Sequence, residues 1–137
     1  MAFAVSREIE FCYGHRLLNY NGKCKHLHGH NGIAIIKIAS NKLDDLGMVV
    51  DFSLIKEKIA NWINQTLDHK LILCKDDPLV PVLQANNELI YIMDVNPTAE
   101  NIAKHIFDYI KSQKFNVEEV IVWETQNCSA SYKEIAG

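Results

Sequence analysis

From Phe3 to His15 the apolar side chains keep one parity. Phe3, Val5, Ile9, Phe11, Tyr13 and His15 alternate with more polar neighbours, interrupted only by Arg7. A period of two is the signature of a strand with one covered face. Ala2 to His15 therefore reads as a long strand whose His15 points to a mostly apolar side. A loop with a strong turn signal at Asn21-Gly22 follows. A second strand leaves the stretch Cys24-Lys25-His26-Leu27-His28-Gly29-His30 and continues through Ile33-Ala34-Ile35-Ile36-Lys37-Ile38. Both of its faces are apolar, which predicts helices over one and another layer or subunit over the other.

The rest of the chain fits around that pair. Asn41 to Gly47 reads as a turn and Met48-Val49-Val50 as a short extended piece. Asp51-Phe52-Ser53 opens a helix running to about Leu67, with Asp51 or Ser53 as its cap and Phe52, Ile55, Ile59, Trp62 and Ile63 at helical spacing. Leu71 to Asp94 is less regular: Asp76-Asp77-Pro78 starts a short turn or helix, and Glu88 to Met93 reads as a small strand. Asn96-Pro97 starts the second helix, with Asn96 as cap, Pro97 at the first helical position and Glu100 in the first turn. Ala99, Ile102, Ala103, Ile106 and Ile110 form its buried stripe. Val120 to Thr125 is a strand, and Ser129 to Glu134 pairs back onto it. The order β-β-α-(β)-α-β-β predicts an α+β fold with two helices covering one face of an antiparallel sheet. With no repeat or linker, residues 1–137 read as a single domain.

Composition narrows the function. A net charge of −3, from 14 basic and 17 acidic residues, gives no reason to expect nucleic acid or a membrane surface as partner. No apolar run has the roughly 18 residues needed to span a bilayer, and the N-terminus lacks the pattern of a signal peptide. Cys12, Cys24, Cys74 and Cys128 form no CxxC pair, so reduced thiols in a cytoplasm are expected.

Residues i and i+2 of a strand share a face, so His28 and His30 reach one ion from one strand. His15 is the natural third ligand. His26 has the same parity but sits at the loop edge and ranks below it. Three imidazoles without an obligatory fourth protein ligand describe a zinc site with room for substrate. Cys24 has three readings: a fourth ligand closing a structural site, an inert small residue, or a thiolate beside the metal that takes a proton from substrate. Asp68-His69 at a helix end is either a terminating surface pair or a functional one, in which Asp68 orients His69 for proton exchange. Glu124 follows an apolar run. If buried it needs donors, such as the N–H edge of a pterin or guanine ring. Thr98 and Glu100 read as helix-start residues. His105 reads as an ordinary surface or core histidine. Arg16, Lys23 and Lys25 form either a solvated rim or a phosphate contact.

Six motifs then occur in order: Phe11-x-x-x-His15-Arg16-Leu17, Cys24-x-x-x-His28-Gly29-His30, Gly47-Met48-Val49-x-Asp51-Phe52, Leu67-Asp68-His69, Pro97-Thr98-Ala99-Glu100-Asn101 and Glu124-Thr125. Together they resemble the 6-pyruvoyl-tetrahydropterin synthase superfamily over nearly the whole chain, most closely its bacterial 6-carboxytetrahydropterin synthase branch. The resemblance implies a tunnelling fold, a four-stranded antiparallel sheet with two helices on one face. Three subunits would close it into a barrel, and two trimers would stack as a homohexamer. It implies zinc on His15, His28 and His30, a proton-transfer set of Cys24, Asp68 and His69, and substrate contacts from Glu124 and Thr98. Sites would form between subunits.

The implied substrate is 7,8-dihydroneopterin triphosphate. The implied products are 6-carboxy-5,6,7,8-tetrahydropterin, acetaldehyde and triphosphate, on the way to queuosine and other 7-deazapurines. Three residues between Cys24 and His28 match the carboxy branch; the pyruvoyl branch, which leads to tetrahydrobiopterin, typically has a longer gap. Gly32 departs from the pattern, standing where the family often has an aromatic. The alternatives are the pyruvoyl enzyme and, in another class, a non-catalytic zinc-binding module closed by Cys24.

Overall fold

The computed structural model describes residues 2–134. β1 (Phe3–His15) and β2 (His28–Ser40) run antiparallel along their full lengths, with Phe3 opposite Ser40 at one end and His15 opposite His28 at the other. The parity read from the sequence holds: Ile9, Phe11, Tyr13 and His15 of β1 are buried together with Ala34, Ile36 and Ile38 of β2. β5 (Val117–Trp123) pairs with β2, and β6 (Ser129–Tyr132) with β5, both antiparallel.

The expectation of four strands needs correcting. β3 (Lys70–Cys74) lies parallel to β1, and β4 (Ile90–Met93) parallel to β3, giving a mixed six-stranded sheet of order β4-β3-β1-β2-β5-β6. β3 shows no alternation because Ile72, Leu73 and Cys74 are all buried. A parallel strand covered on both sides reads as a continuous apolar run.

Three helices accompany the sheet. Phe52–Ile55, Lys56–Ala60 and Asn61–Thr66 form one continuous helix, α1, whose middle turn widens to a π turn. Asp51 caps it by accepting from the Ser53 N–H. Ile55, Ile59, Ile63 and Leu67 recur every four residues and are all fully buried. Phe52 is exposed instead, because its turn precedes Ile55, where the stripe first meets the core. The short α2 (Leu79–Ala85) follows, and then α3 (Ala99–Ser112).

On α3 the cap is Thr98 rather than Asn96. Thr98 is extended and its hydroxyl accepts from the Asn101 N–H at 3.1 Å, while the Asn96 side chain is committed to Leu18. Ile102, Ile106, Phe107 and Ile110 are buried against the sheet in one core with the α1 stripe. At about 1.5–3 kcal/mol for each fully buried side chain of this size, that core holds the helices on one face. Trp62 stacks on Tyr109 with ring centroids 3.9 Å apart, joining α1 to α3.

The opposite face is less covered. Glu8, Glu10, Cys12 and Asn31 are exposed there and Ile33 and Ile35 are half-buried. The second cover expected for β2 is therefore not supplied by the described residues.

Candidate metal centre and active site

The ladder between β1 and β2 builds the centre. His15 faces His28 directly and Tyr13 faces His30, so three imidazoles crowd the helix-facing side of one sheet end. Their ligand atoms all lie within 4.8 Å of one another. His15 Nε2 and His30 Nε2 are 3.1 Å apart. Two nitrogens on a tetrahedral zinc with bonds near 2.0–2.1 Å would be about 3.3 Å apart.

The outer contacts fix the tautomers. His15 Nδ1 donates to the Pro97 carbonyl at 2.7 Å, and His28 Nδ1 to the His26 carbonyl at 2.8 Å. Each Nε2 is left with its lone pair, as a metal ligand requires. Burial pushes the His15 imidazole below its ordinary pKa, although the Pro97 hydrogen bond and Glu124 pull upward. Burial does the same to His30 against the pull of Glu124. Convergent imidazoles, two of them oriented through Nδ1, are a donor set that fits a zinc ion. His26 takes part through its carbonyl only.

Glu124 lies just past β5. Its Oε1 is 3.2 Å from His30 Nε2, so it borders the three histidines without belonging to their ligand set. Cys24 also stays outside that set; it sits half-buried in the 3₁₀ turn Lys23–Lys25 and its carbonyl accepts from the Leu17 N–H at 2.8 Å. Thr98 stands next to Pro97, with its hydroxyl oxygen capping α3.

Asp68 and His69 follow α1 and are fixed on Cys12 of β1. Asp68 Oδ1 accepts from the Cys12 N–H at 2.8 Å, and the His69 N–H donates to the Cys12 carbonyl at 2.6 Å. Asp68 Oδ2 accepts from His69 Nδ1 at 2.8 Å. Burial raises the Asp68 carboxyl, but the hydrogen bonds from Cys12 and His69 outweigh it and hold the group below the usual carboxylate range. His69 adopts the left-handed backbone conformation, φ 60°, and its side chain is exposed. A cavity of about 360 Å³ is lined by His69, Lys70, Cys12, Asn31 and His30 among others. Cys24 is not among its lining residues.

Several contacts that position the site were not foreseen. Asn96 clamps Leu18 by accepting from its N–H at 2.9 Å and donating to its carbonyl at 3.1 Å. Asn96-Pro97 thus holds both His15 and the loop after it. Arg16 is a correction. Instead of a rim or phosphate contact, its guanidinium grips the buried Asp77, with Nε donating to Oδ2 at 2.8 Å. The Arg16 hydrogen bond holds the Asp77 carboxyl below its usual range. His105 has a satisfied core role, with Nε2 2.5 Å from the Tyr91 hydroxyl.

A mixed sheet backed by helices on one face, with a three-histidine centre where its two longest strands end, defines an α+β class of candidate metalloenzymes. The sequence pattern described as 6-pyruvoyl tetrahydropterin synthase matches residues 4–135. The chain is 45% identical over 130 residues to the 6-carboxy-5,6,7,8-tetrahydropterin synthase of Rickettsia conorii, covering 90% of this chain and 94% of that one. Its fold matches an uncharacterized protein from Wolinella succinogenes with a TM-score of 0.84 at 24% identity, covering 97% and 98% of the two chains. It also matches the 6-pyruvoyl tetrahydropterin synthase of Caenorhabditis elegans with a TM-score of 0.72 at 25% identity, covering 97% and 96%. The chain belongs to the 6-pyruvoyl tetrahydropterin synthase family.

Proposed function

We propose that this protein is a zinc-dependent lyase that converts 7,8-dihydroneopterin triphosphate to 6-carboxy-5,6,7,8-tetrahydropterin, acetaldehyde and triphosphate. The observation that carries the reading is the convergence of His15, His28 and His30 beside Glu124, in a chain so similar to a synthase of that name. His15, His28 and His30 would hold the zinc, which supplies Lewis acidity to the side-chain oxygens of the substrate.

The chain's own residues supply the rest. Glu124 accepts from the N–H edge of the pterin ring, and Thr98, whose oxygen caps α3, still has a hydroxyl proton to donate. Asp68 accepts from His69 Nδ1, which fixes the ring and turns Nε2 outward for proton exchange. Cys24 is the partner thiol. Since the cavity beside His69 lacks Cys24, the set is completed between subunits, in a barrel of three sheets and a hexamer of two such trimers. The open sheet face with Ile33 and Ile35 suits such closure. Free thiols and the absence, among the described residues, of any helix long and apolar enough to cross a membrane agree with a cytoplasmic enzyme of queuosine biosynthesis.

Incubating the zinc-loaded protein with 7,8-dihydroneopterin triphosphate and identifying the products by mass tests the reading. 6-Carboxytetrahydropterin with acetaldehyde is expected. A 6-pyruvoyl product without acetaldehyde would place the chain in the other branch, and no turnover would favour a zinc-binding module.

A further inference from the structure

Tyr13 is a buried polar group to which the chemistry above gives no task. The residue is 3% exposed and its phenol oxygen has no hydrogen-bond partner. Buried hydroxyls are nearly always paired, so an orphan at the edge of a ligand site marks a missing partner. The ring is held by its neighbours. It stacks on Phe11 at 5.0 Å, stands edge-on to His15 at 5.1 Å and lies 5.6 Å from His30.

Gly32 provides the room. A Cβ there would lie 2.9 Å from Tyr13 Cε1, so the Tyr13 ring fills the space that a side chain at position 32 would need. Along the ladder, Ile33 of β2 faces Trp123 of β5, and Glu124 is the next residue after Trp123. A ring leaning over Gly32 is thus carried toward Glu124. Glu124 in turn contacts His30 Nε2, the nitrogen turned toward His15. An imidazole that gives Nε2 to a metal has no proton there to donate, and Glu124 then needs another donor.

Resting on the pterin reading above, we infer that Tyr13 is a positioning residue of the Glu124 subsite. Its phenol O–H, carried over Gly32 and without a partner in this structure, would turn to the Glu124 carboxylate once His30 gives Nε2 to the metal, and so hold that carboxylate in place to receive the N–H edge of a pterin ring.

Fluorescence titration with 7,8-dihydroneopterin, using zinc-loaded protein, tests this. Tyr13→Phe removes only the oxygen and should weaken pterin binding about tenfold, the scale of one charge-assisted hydrogen bond. Zinc content should be unchanged and Tm unchanged or raised. Gly32→Ala, which displaces the ring and keeps the oxygen, should weaken binding as well. Because Tyr13 acts through Glu124, Tyr13→Phe should cost nothing further in a Glu124→Ala background. Full pterin affinity in Tyr13→Phe overturns the inference alone, as does a further loss in the double variant. A wild-type protein that binds no pterin overturns the functional reading and this inference with it.

Discussion

His15 Nε2 and His30 Nε2 face each other at 3.1 Å, each carried by a different strand of the same ladder. Two ring nitrogens at that distance need a proton or a cation between them. The His15 tautomer, fixed by the Pro97 carbonyl, keeps the proton off its Nε2. His15→Ala should therefore lower zinc content from about one ion per chain to near none, while the sheet survives. Metal analysis after dialysis checks this, and a fully loaded variant would remove His15 from the ligand set.

The same burial makes the metal-free protein sensitive to mild acid. His15, His30 and His105 all have pKa values lowered by burial, so just below the ordinary histidine value of about 6.5 the unfolded chain binds more protons than the folded one. Stability should rise with pH through that window and fall as pH drops through the lowered folded values. The lowered carboxylates Asp51, Asp68 and Asp77 act in the same direction, but only in stronger acid. Urea midpoints of the metal-free protein at a series of pH values give the slope; a flat profile just below the ordinary histidine value of about 6.5 would contradict it.

What the sequence made legible was periodic. β1, β2 and the buried stripes of α1 and α3 announce themselves because each has one covered face. The histidine cluster follows from parity and position together: His15 continues the buried set of β1, His28 and His30 share one face of β2, and His26, of the same parity, is set aside by its place at the loop edge. β3 was obscure because parallel pairing beneath a cover removes alternation, whereas β4 lies within the small strand read at Glu88 to Met93. Asn96 looked like a cap because a cap and a loop clamp use the same side chain, and only the tertiary partner Leu18 separates them. The grip of Arg16 on Asp77 spans 61 residues and has no local signature.

Tyr13 and Gly32 make a reciprocal pair that a double-mutant cycle can measure. A large side chain at Gly32 would meet the Tyr13 ring and the Phe11 carbonyl, 2.9 and 3.2 Å from the first added carbon. Gly32→Phe alone should destabilise by about 1–3 kcal/mol through overpacking. Adding Tyr13→Ala empties the contested space and should recover much of that loss. Urea denaturation of the four proteins gives the coupling. Additive effects would mean that the two sites do not share one volume.

Cys24 lies outside the set of converging ligand atoms, so Cys24→Ala should keep its zinc and lose turnover. X-ray absorption at the metal offers an independent check, since a zinc–sulfur distance in the wild-type protein would make Cys24 a ligand. Loss of zinc in the variant would point the same way and favour the closed, non-catalytic centre.

Asp68→Asn probes the proposed proton-transfer pair with little change of shape. Asp68 uses one oxygen for the Cys12 N–H and the other for His69 Nδ1. An asparagine can keep the first bond, because its carbonyl still accepts from Cys12. Its amide then faces His69 as a donor, so His69 must present a bare Nδ1 and carry its proton on Nε2. The fold and the proposed pterin subsite at Glu124 are untouched by that reversal. KM should therefore change little, while kcat should fall by about 10²–10⁴, the usual worth of a general acid–base group. Steady-state kinetics separates the two constants. A variant that lost affinity with kcat intact would show that Asp68 holds the loop in place and does not set the tautomer of His69.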